Sequence, residues 1–380
     1  VPFEITTEAD LAAIPSPFGR HAPIRGSLIT KRLCDIKAKP VSWLWPGRIA
    51  RGKLTIIAGN PGLGKSQITA SIAGVVTTGG RWPVHRDQCE RGDMLFLTAE
   101  DDAADTLRPR LEAAAADLGR VHVIEGVIAE HTGIGEQPSR AFSLQEDLRA
   151  LAAKLDELGN VAAVVIDPIS AYLGEADSHK NAEVRAMLTP LSDLAARSNV
   201  AVIGISHLTK AAGAQAIMRV SGSLAFVAAA RAAWLVASDP NDNTRRLFLP
   251  LKNNLGPDAS GFAYCIEGAT IESAYGPIET SRIVWESGVV KLTADEVTRA
   301  DTPQRMSALN EATEWLENAL AGGPVPQKQL FESGGKEGFS EKTLRRAKSK
   351  LGVKSAKSEF EGGWAWSLLP KMASSSEGGQ

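Results

Sequence analysis

Cysteine is scarce in this sequence. The 3 cysteines among 380 residues, Cys34, Cys89 and Cys265, lie far apart. They form no CxxC pair, which excludes a disulfide framework and a cysteine-built zinc site. Three scattered thiols fit a reducing, cytoplasmic setting. A dominant charge is missing too. With 42 Lys+Arg against 44 Asp+Glu the formal net charge is -2, so the chain as a whole is neither a basic nucleic-acid coat nor an acidic tail. Any nucleic-acid site must come from local charge. Long apolar runs are absent as well. The most apolar stretch, 224–236, is short and carries Arg231, so no membrane partner is expected. The first ten residues lack the basic-then-apolar pattern of a signal peptide.

What remains is the composition of an ordinary globular protein, 43% hydrophobic, long enough for two or three domains of about 100–200 residues. Residues 1–40, with Pro15, Pro17 and Pro23, read as an arm with little core of its own. From about 41 to 267, within a first domain that extends over 41–299, short β-branched runs alternate with Ala/Leu-rich helical runs. Strands are expected at 53–58, 93–99, 121–125, 162–167, 201–206, 232–236 and 246–250, with further short strands in 271–295. Helices are expected at 66–77, 103–118, 143–158 and 182–198. This alternation predicts an α/β layer with a mostly parallel central sheet. Residues 300–305 read as a polar linker, 306–370 as a second domain, and the Ser/Gly-rich 371–380 as a disordered tail.

Gly59-Asn60-Pro61-Gly62-Leu63-Gly64-Lys65-Ser66 matches GxxxxGK[ST] at every specified position, with a strand before it and a helix after it. The glycines let backbone N–H groups wrap phosphates where a Cβ would obstruct. Lys65 supplies charge to the β- and γ-phosphates, and the Ser66 hydroxyl ligates Mg²⁺. The nucleotide contacts are therefore Gly59, Asn60, Pro61, Gly62, Leu63, Gly64, Lys65, Ser66 and, next to them, Gln67. The apolar run Ala162-Ala163-Val164-Val165-Ile166 delivers Asp167 to a strand's C-terminal end, where ligands of open α/β sheets bind. Asp167 is the second Mg²⁺ group; the other reading is a helix cap before Pro168.

Hydrolysis needs a group to activate water. Glu100, ending the strand after the phosphate loop's helix, is the candidate. Asp101 and Asp102 read as caps of the following helix, a role open to Glu100 as well. His207, at the tip of another strand, is either a γ-phosphate sensor or a structural histidine. Arg231 interrupts an apolar run. A buried, unpaired guanidinium costs several kcal/mol, so it must reach a phosphate at a subunit interface or an intrachain acid.

Together these motifs resemble the RecA-like ATPases, and within them the RepA-type replicative helicases of plasmids and phages. The likeness covers about 41–267. It rests on motif order: the phosphate loop, Thr98-Ala99-Glu100-Asp101-Asp102, Asp167-Pro168, Ser206-His207-Leu208-Thr209-Lys210, Arg219-Val220-Ser221-Gly222-Ser223, Arg231, and Lys252-Asn253-Asn254-Leu255-Gly256-Pro257. A helical lid with a sensor arginine, the AAA+ hallmark, has no clear counterpart. The resemblance implies Glu100 as catalytic glutamate and His207 as sensor. It implies Arg231 as a finger reaching a neighbouring subunit's γ-phosphate, and Lys252 as the lysine of a hairpin that also acts in trans. An arginine often stands in that hairpin where this chain has Asn254. Fingers in trans imply a homo-hexamer or similar ring, with ATP and Mg²⁺ between subunits. Loops at 209–223, with Lys210 and Arg219, would face a channel and hold single-stranded DNA.

In the last domain, 306–321, a segment starting at 326–331 and 341–351 read as three helices, the third capped by Ser340 and stopped by Gly352. Lys342, Arg345 and Arg346 share one side of the third helix, and Lys348 adds to its charge. Phe360-Glu361-Gly362-Gly363-Trp364-Ala365-Trp366 reads as a hairpin with a Gly-Gly turn. The pattern resembles a winged helix-turn-helix, whose third helix enters the major groove of duplex DNA; the alternative is a protein-docking domain. The expectation is an ATP-hydrolysing, ring-forming DNA helicase or translocase, and its rival is an ATP-switched DNA-binding regulator that separates no strands.

Overall fold

In a computed structural model of the chain, residues 30–128, 139–174, 181–208, 216, 224–257, 260–300, 303–357 and 364–368 are described. Residues 1–40 form one compact unit and 41–380 a second. The described part of the first holds an exposed turn of 3-10 helix, Leu33–Asp35.

The second unit opens with a short hairpin of β1 (Trp43–Trp45) and β2 (Ile49–Ala50), then β3 (Leu54–Gly59) and helix α1 (Lys65–Thr78). After β4 (Asp93–Thr98), a π-helical turn at Ala103–Leu107 runs into α2 (Arg108–Ala113). β5 (Val121–Val123) follows, then a small ladder of β6 (Val127–Ile128) and β7 (Ser139–Arg140). The alternation continues through α3 (Leu148–Leu158), β8 (Val161–Asp167), α4 (Asn181–Ser198), β9 (Ala201–His207), α5 (Leu224–Ala229) and β10 (Ala232–Asp239). Three long antiparallel strands close it: β11 (Asp242–Asn253), β12 (Gly261–Ser273) and β13 (Gly276–Val290).

These strands build one sheet in the order β13-β12-β11-β10-β3-β9-β8-β4-β5. From β10 to β5 the neighbours are parallel, and β10 to β13 pair antiparallel. Both faces of the parallel part are covered, so its strands are apolar without alternation, as in the fully buried β8. One face packs Leu151, Leu155, Val184, Leu188 and Phe226 from α3, α4 and α5. The other receives α1 and an aromatic group in which Trp45 stacks on Trp82 at 4.8 Å. Helix α1 is buried on most sides, so it carries no broad polar face.

Three local expectations change. The helix expected over 103–118 is broken. Pro109 lacks an N–H, and the turn before it closes with a Leu107 N–H to Asp102 C=O bond of 2.9 Å, five residues back. The segment ends where Ala115 takes a positive φ of 56°. Helix α3 starts five residues later than the expected 143. There the Asp147 carboxylate accepts from the Ser143 N–H and takes both Arg140 nitrogens at 2.7 Å, holding the chain out of helix. The short strands expected in 271–295 are instead one long hairpin, β12–β13, turning through Ala274 and Tyr275 onto Gly276 at φ 104°.

Helix α6 (Ala294–Ala300) leads to the last part: α7 (Pro303–Leu320), β14 (Val325–Pro326), α8 (Gln327–Lys336), α9 (Glu341–Lys350), β15 (Lys354–Lys357) and β16 (Trp364–Ser367). The strands form a separate antiparallel sheet, β14-β16-β15. Trp366, Leu316, Leu344 and Ala347 are its buried core. Gly334 lets α8 approach Leu344 of α9, since a Cβ there would lie 2.6 Å from that side chain. The expected Gly362-Gly363 turn lies outside the described residues. Among the described residues no helix is long and apolar enough to cross a membrane.

Candidate active site

The phosphate loop leaves β3 at Gly59, where a Cβ would collide with the Val236 carbonyl of β10. Gly62 and Gly64 take φ of 76° and 84°, which only glycine adopts without strain. Antiparallel strands far along the chain brace the loop from outside. The Tyr264 hydroxyl donates to the Leu63 carbonyl at 2.7 Å, Ile266 presses on Gly64, and the Gln67 amide donates to the Ser281 hydroxyl at 2.8 Å.

Lys65 opens α1 with its ammonium donating to the Asn60 carbonyl at 3.0 Å. Burial pulls that ammonium below the usual lysine range, and Asp167 and Glu100 oppose the shift. The Ser66 hydroxyl donates to Asp167 at 2.7 Å. Asp167 is buried, which raises its pKa; the Ser66 bond and Lys65 lower it, and Asp101 and Glu100 push it up further. A hydroxyl and a carboxylate side by side under a phosphate loop fit Mg²⁺, a hard cation that takes few protein oxygens and shares the rest with phosphate and water.

One pocket of about 190 Å³ is lined by Gly62, Gly64, Lys65, Ser66, Gln67, Glu100, Asp101, Arg110, Asp167 and His207, with Pro61 at its edge. The sheet thus gathers groups from the ends of β3, β4, β8 and β9. Glu100 is 60% exposed in its side chain, and its Oε1 lies 3.4 Å from His207 Nε2. Its neighbours divide roles that the sequence reading had given them jointly. Asp102 is the cap, accepting from the Ala104 and Asp105 N–H groups, which hold its carboxyl below the usual range. Asp101 caps nothing and instead pairs with Arg110 at 2.6 Å. Sequence reasoning missed Arg110, Tyr264 and Ser281. Only Arg110 had any signal, a charged residue within reach of the Glu100 turn.

Arg231 and Lys252 stand elsewhere. Arg231 is exposed, not buried, so the desolvation cost assumed from its apolar neighbours does not arise. Its N–H donates to the Leu54 carbonyl, and the next residue, Ala232, pairs with Thr55, while Gly59 pairs with Val236. Arg231 therefore sits at the end of the strands opposite its own phosphate loop, about 17 Å away by the usual rise of about 3.3 Å per residue. Lys252 has its ammonium on the carbonyls of Val227 (2.8 Å), Ala228 (3.2 Å) and Ala230 (2.8 Å), the C-terminal end of α5. Within the chain that ammonium caps the helix. Burial lowers its pKa, and Arg231 and Arg185 add to the shift. Lys210 and Arg219 lie outside the described residues.

On α9, Arg345 is 58% exposed and its guanidinium lies over the Phe331 ring at 4.9 Å. Lys342 is exposed beside a groove that Glu296 of α6 also lines. Arg346 turns the other way, and its Nε donates to the Pro240 carbonyl, just beyond β10, at 2.6 Å. Lys348 bonds to Ser355 and lies 4.9 Å over the Trp366 ring.

A mostly parallel sheet, a phosphate loop at its central strand, and a hydroxyl–carboxylate pair beneath it define a P-loop nucleoside triphosphatase core. The comparison with known families agrees: residues 27–213 match the family model described as an AAA domain. The match spans the phosphate loop, Glu100, Asp167 and His207, and ends before Arg231 and the C-terminal helices. It supports a P-loop ATPase and goes no further towards the RepA-type helicases. No curated protein matches the chain.

Proposed function

We propose that the chain is an ATP-hydrolysing, ring-forming DNA helicase or translocase of a plasmid- or phage-type replication system. Arg231 carries this reading: it is exposed, at the end of the strands opposite its own phosphate loop. A guanidinium there serves the triphosphate of an adjacent copy. The site is then complete only in a head-to-tail assembly, which closes into a ring or runs as a filament. Within the site, Lys65 and the loop's backbone N–H groups hold the phosphates. Ser66 and Asp167 would hold Mg²⁺, which supplies positive charge to the phosphate oxygens. Glu100 accepts the proton of the attacking water. His207, 3.4 Å away, passes the state of the γ-phosphate to residues 209–223, where Lys210 and Arg219 would contact single-stranded DNA. The C-terminal helices act as a winged-helix-like domain that docks on duplex DNA through Lys342 and Arg345.

One observation favours the second reading, an ATP-switched DNA-binding regulatory or accessory protein. Arg346 of the DNA-facing helix is seated on the ATPase core, a contact suited to signalling between the two. A forked duplex with single-stranded tails decides. The helicase reading expects ATP-dependent strand separation, abolished by Lys65→Ala. DNA-stimulated hydrolysis with no strand separation would favour the regulator.

A further inference from the structure

We infer that Arg110 is a positioning residue for hydrolysis, selecting Glu100 over Asp101 as the carboxylate that faces the attacking water; the inference rests on the ATPase reading of this site. Two acids stand side by side at the end of β4, and a pocket built for a polyanion gains nothing from both being free. Arg110 lines that pocket from α2 and holds Asp101 at 2.6 Å. The pair is partly buried, 27% and 17% exposed, so it is less screened than a surface ion pair. Asp101 is tied a second time: its N–H donates to the Thr98 hydroxyl at 3.1 Å, and that hydroxyl lies 3.3 Å from the Asp101 carbonyl. Thr98 in turn pairs with Asp167 across the β4–β8 ladder. The turn holding Glu100 is thus clamped on both sides, by Thr98 before it and by the Asp101–Arg110 pair after it. The one acid left outside the clamp is Glu100, 3.4 Å from His207. Asp102 is engaged in capping.

The test is steady-state hydrolysis of Mg·ATP by the full chain. Arg110→Ala should lower kcat by about 10–100-fold, the scale set by loss of alignment of a catalytic group. KM should stay within about threefold, since no binding interaction is removed. Asp101→Asn should lose a comparable amount, and the double variant no more than either alone, because both break one pair. Arg110→Ala placed in a Glu100→Gln chain should cost almost nothing further, which a merely structural role would not give. A raised KM at unchanged kcat would overturn the inference by making Arg110 a nucleotide ligand. So would losses that multiply in the Glu100→Gln background. If the unmodified chain binds Mg·ATP but hydrolyses none, the ATPase reading itself is overturned, and this inference falls with it.

Discussion

At the phosphate loop the charged groups are partnered inside the fold: Lys65 on Asn60, Ser66 on Asp167, Asp101 on Arg110, His207 beside Glu100. On α9 the arrangement is the reverse. Lys342 and Arg345 stand exposed, and the helix is held by Leu344 and Ala347 from its other side. The first site spends its partners on orientation, which suits bond-breaking chemistry where misplacement costs orders of magnitude in rate. The second keeps Lys342 and Arg345 at the surface, Arg345 with only an exposed pair to Glu341 of its own helix at 3.7 Å, which suits contact with a polyanion by counterion release. The two regions should therefore fail differently, one in turnover and one in salt dependence.

The largest effect should come from the first region and a second copy of the chain together. Lys65→Ala should abolish hydrolysis. Arg231→Ala should reduce it by about 10³–10⁵-fold, the worth of an arginine finger, while an isolated subunit still binds nucleotide. Mixing the two inactive variants should restore part of the activity, because one intact composite site can form. No rescue in confirmed mixed assemblies would place Arg231 in a role within its own chain. Lys252→Ala, in contrast, should act mainly by loosening the end of α5, seen as a lower Tm, because its ammonium is already held by three carbonyls.

Next in size is Glu100→Gln. Turnover should fall by about 10²–10⁴-fold with nucleotide binding retained, the usual contribution of a positioned acid–base group. If Asp101→Asn costs more than Glu100→Gln, the wrong carboxylate has been chosen and the division of roles along this turn is reversed.

The smallest effect tests the second region. Duplex affinity should fall with salt, with each phosphate contact contributing about 0.9 to the log–log slope. Arg345→Ala should flatten the slope by about 1 unit, or less if the side chain reads a base edge. From the sequence, Arg346→Ala should flatten it equally; with Arg346 on the Pro240 carbonyl, it should leave the slope nearly unchanged. Equal effects would show that this contact opens when DNA binds, and no effect from either would turn α9 into a protein-docking helix.

Much of the nucleotide site was legible in the residues. The eight-residue loop and the apolar strand ending in Asp167 are local patterns. Backbone wrapping of phosphates requires glycines at set spacings, and a strand covered on both faces must be apolar throughout. The strand–helix alternation that implies a mostly parallel sheet is local in the same sense. Tertiary structure decided the rest. Whether Asp101 or Asp102 caps the helix depended on Arg110 reaching back from α2, beyond the π-helical turn. The brace on the loop came from Tyr264 and Ser281, about two hundred residues away. Arg231 looked buried among apolar neighbours, yet it ends exposed at a strand's end. Lys252 had the setting of a finger, and within the chain it caps a helix. Each of these depends on which strands become neighbours and which way a side chain leaves them, and spacing along the chain carries no record of that.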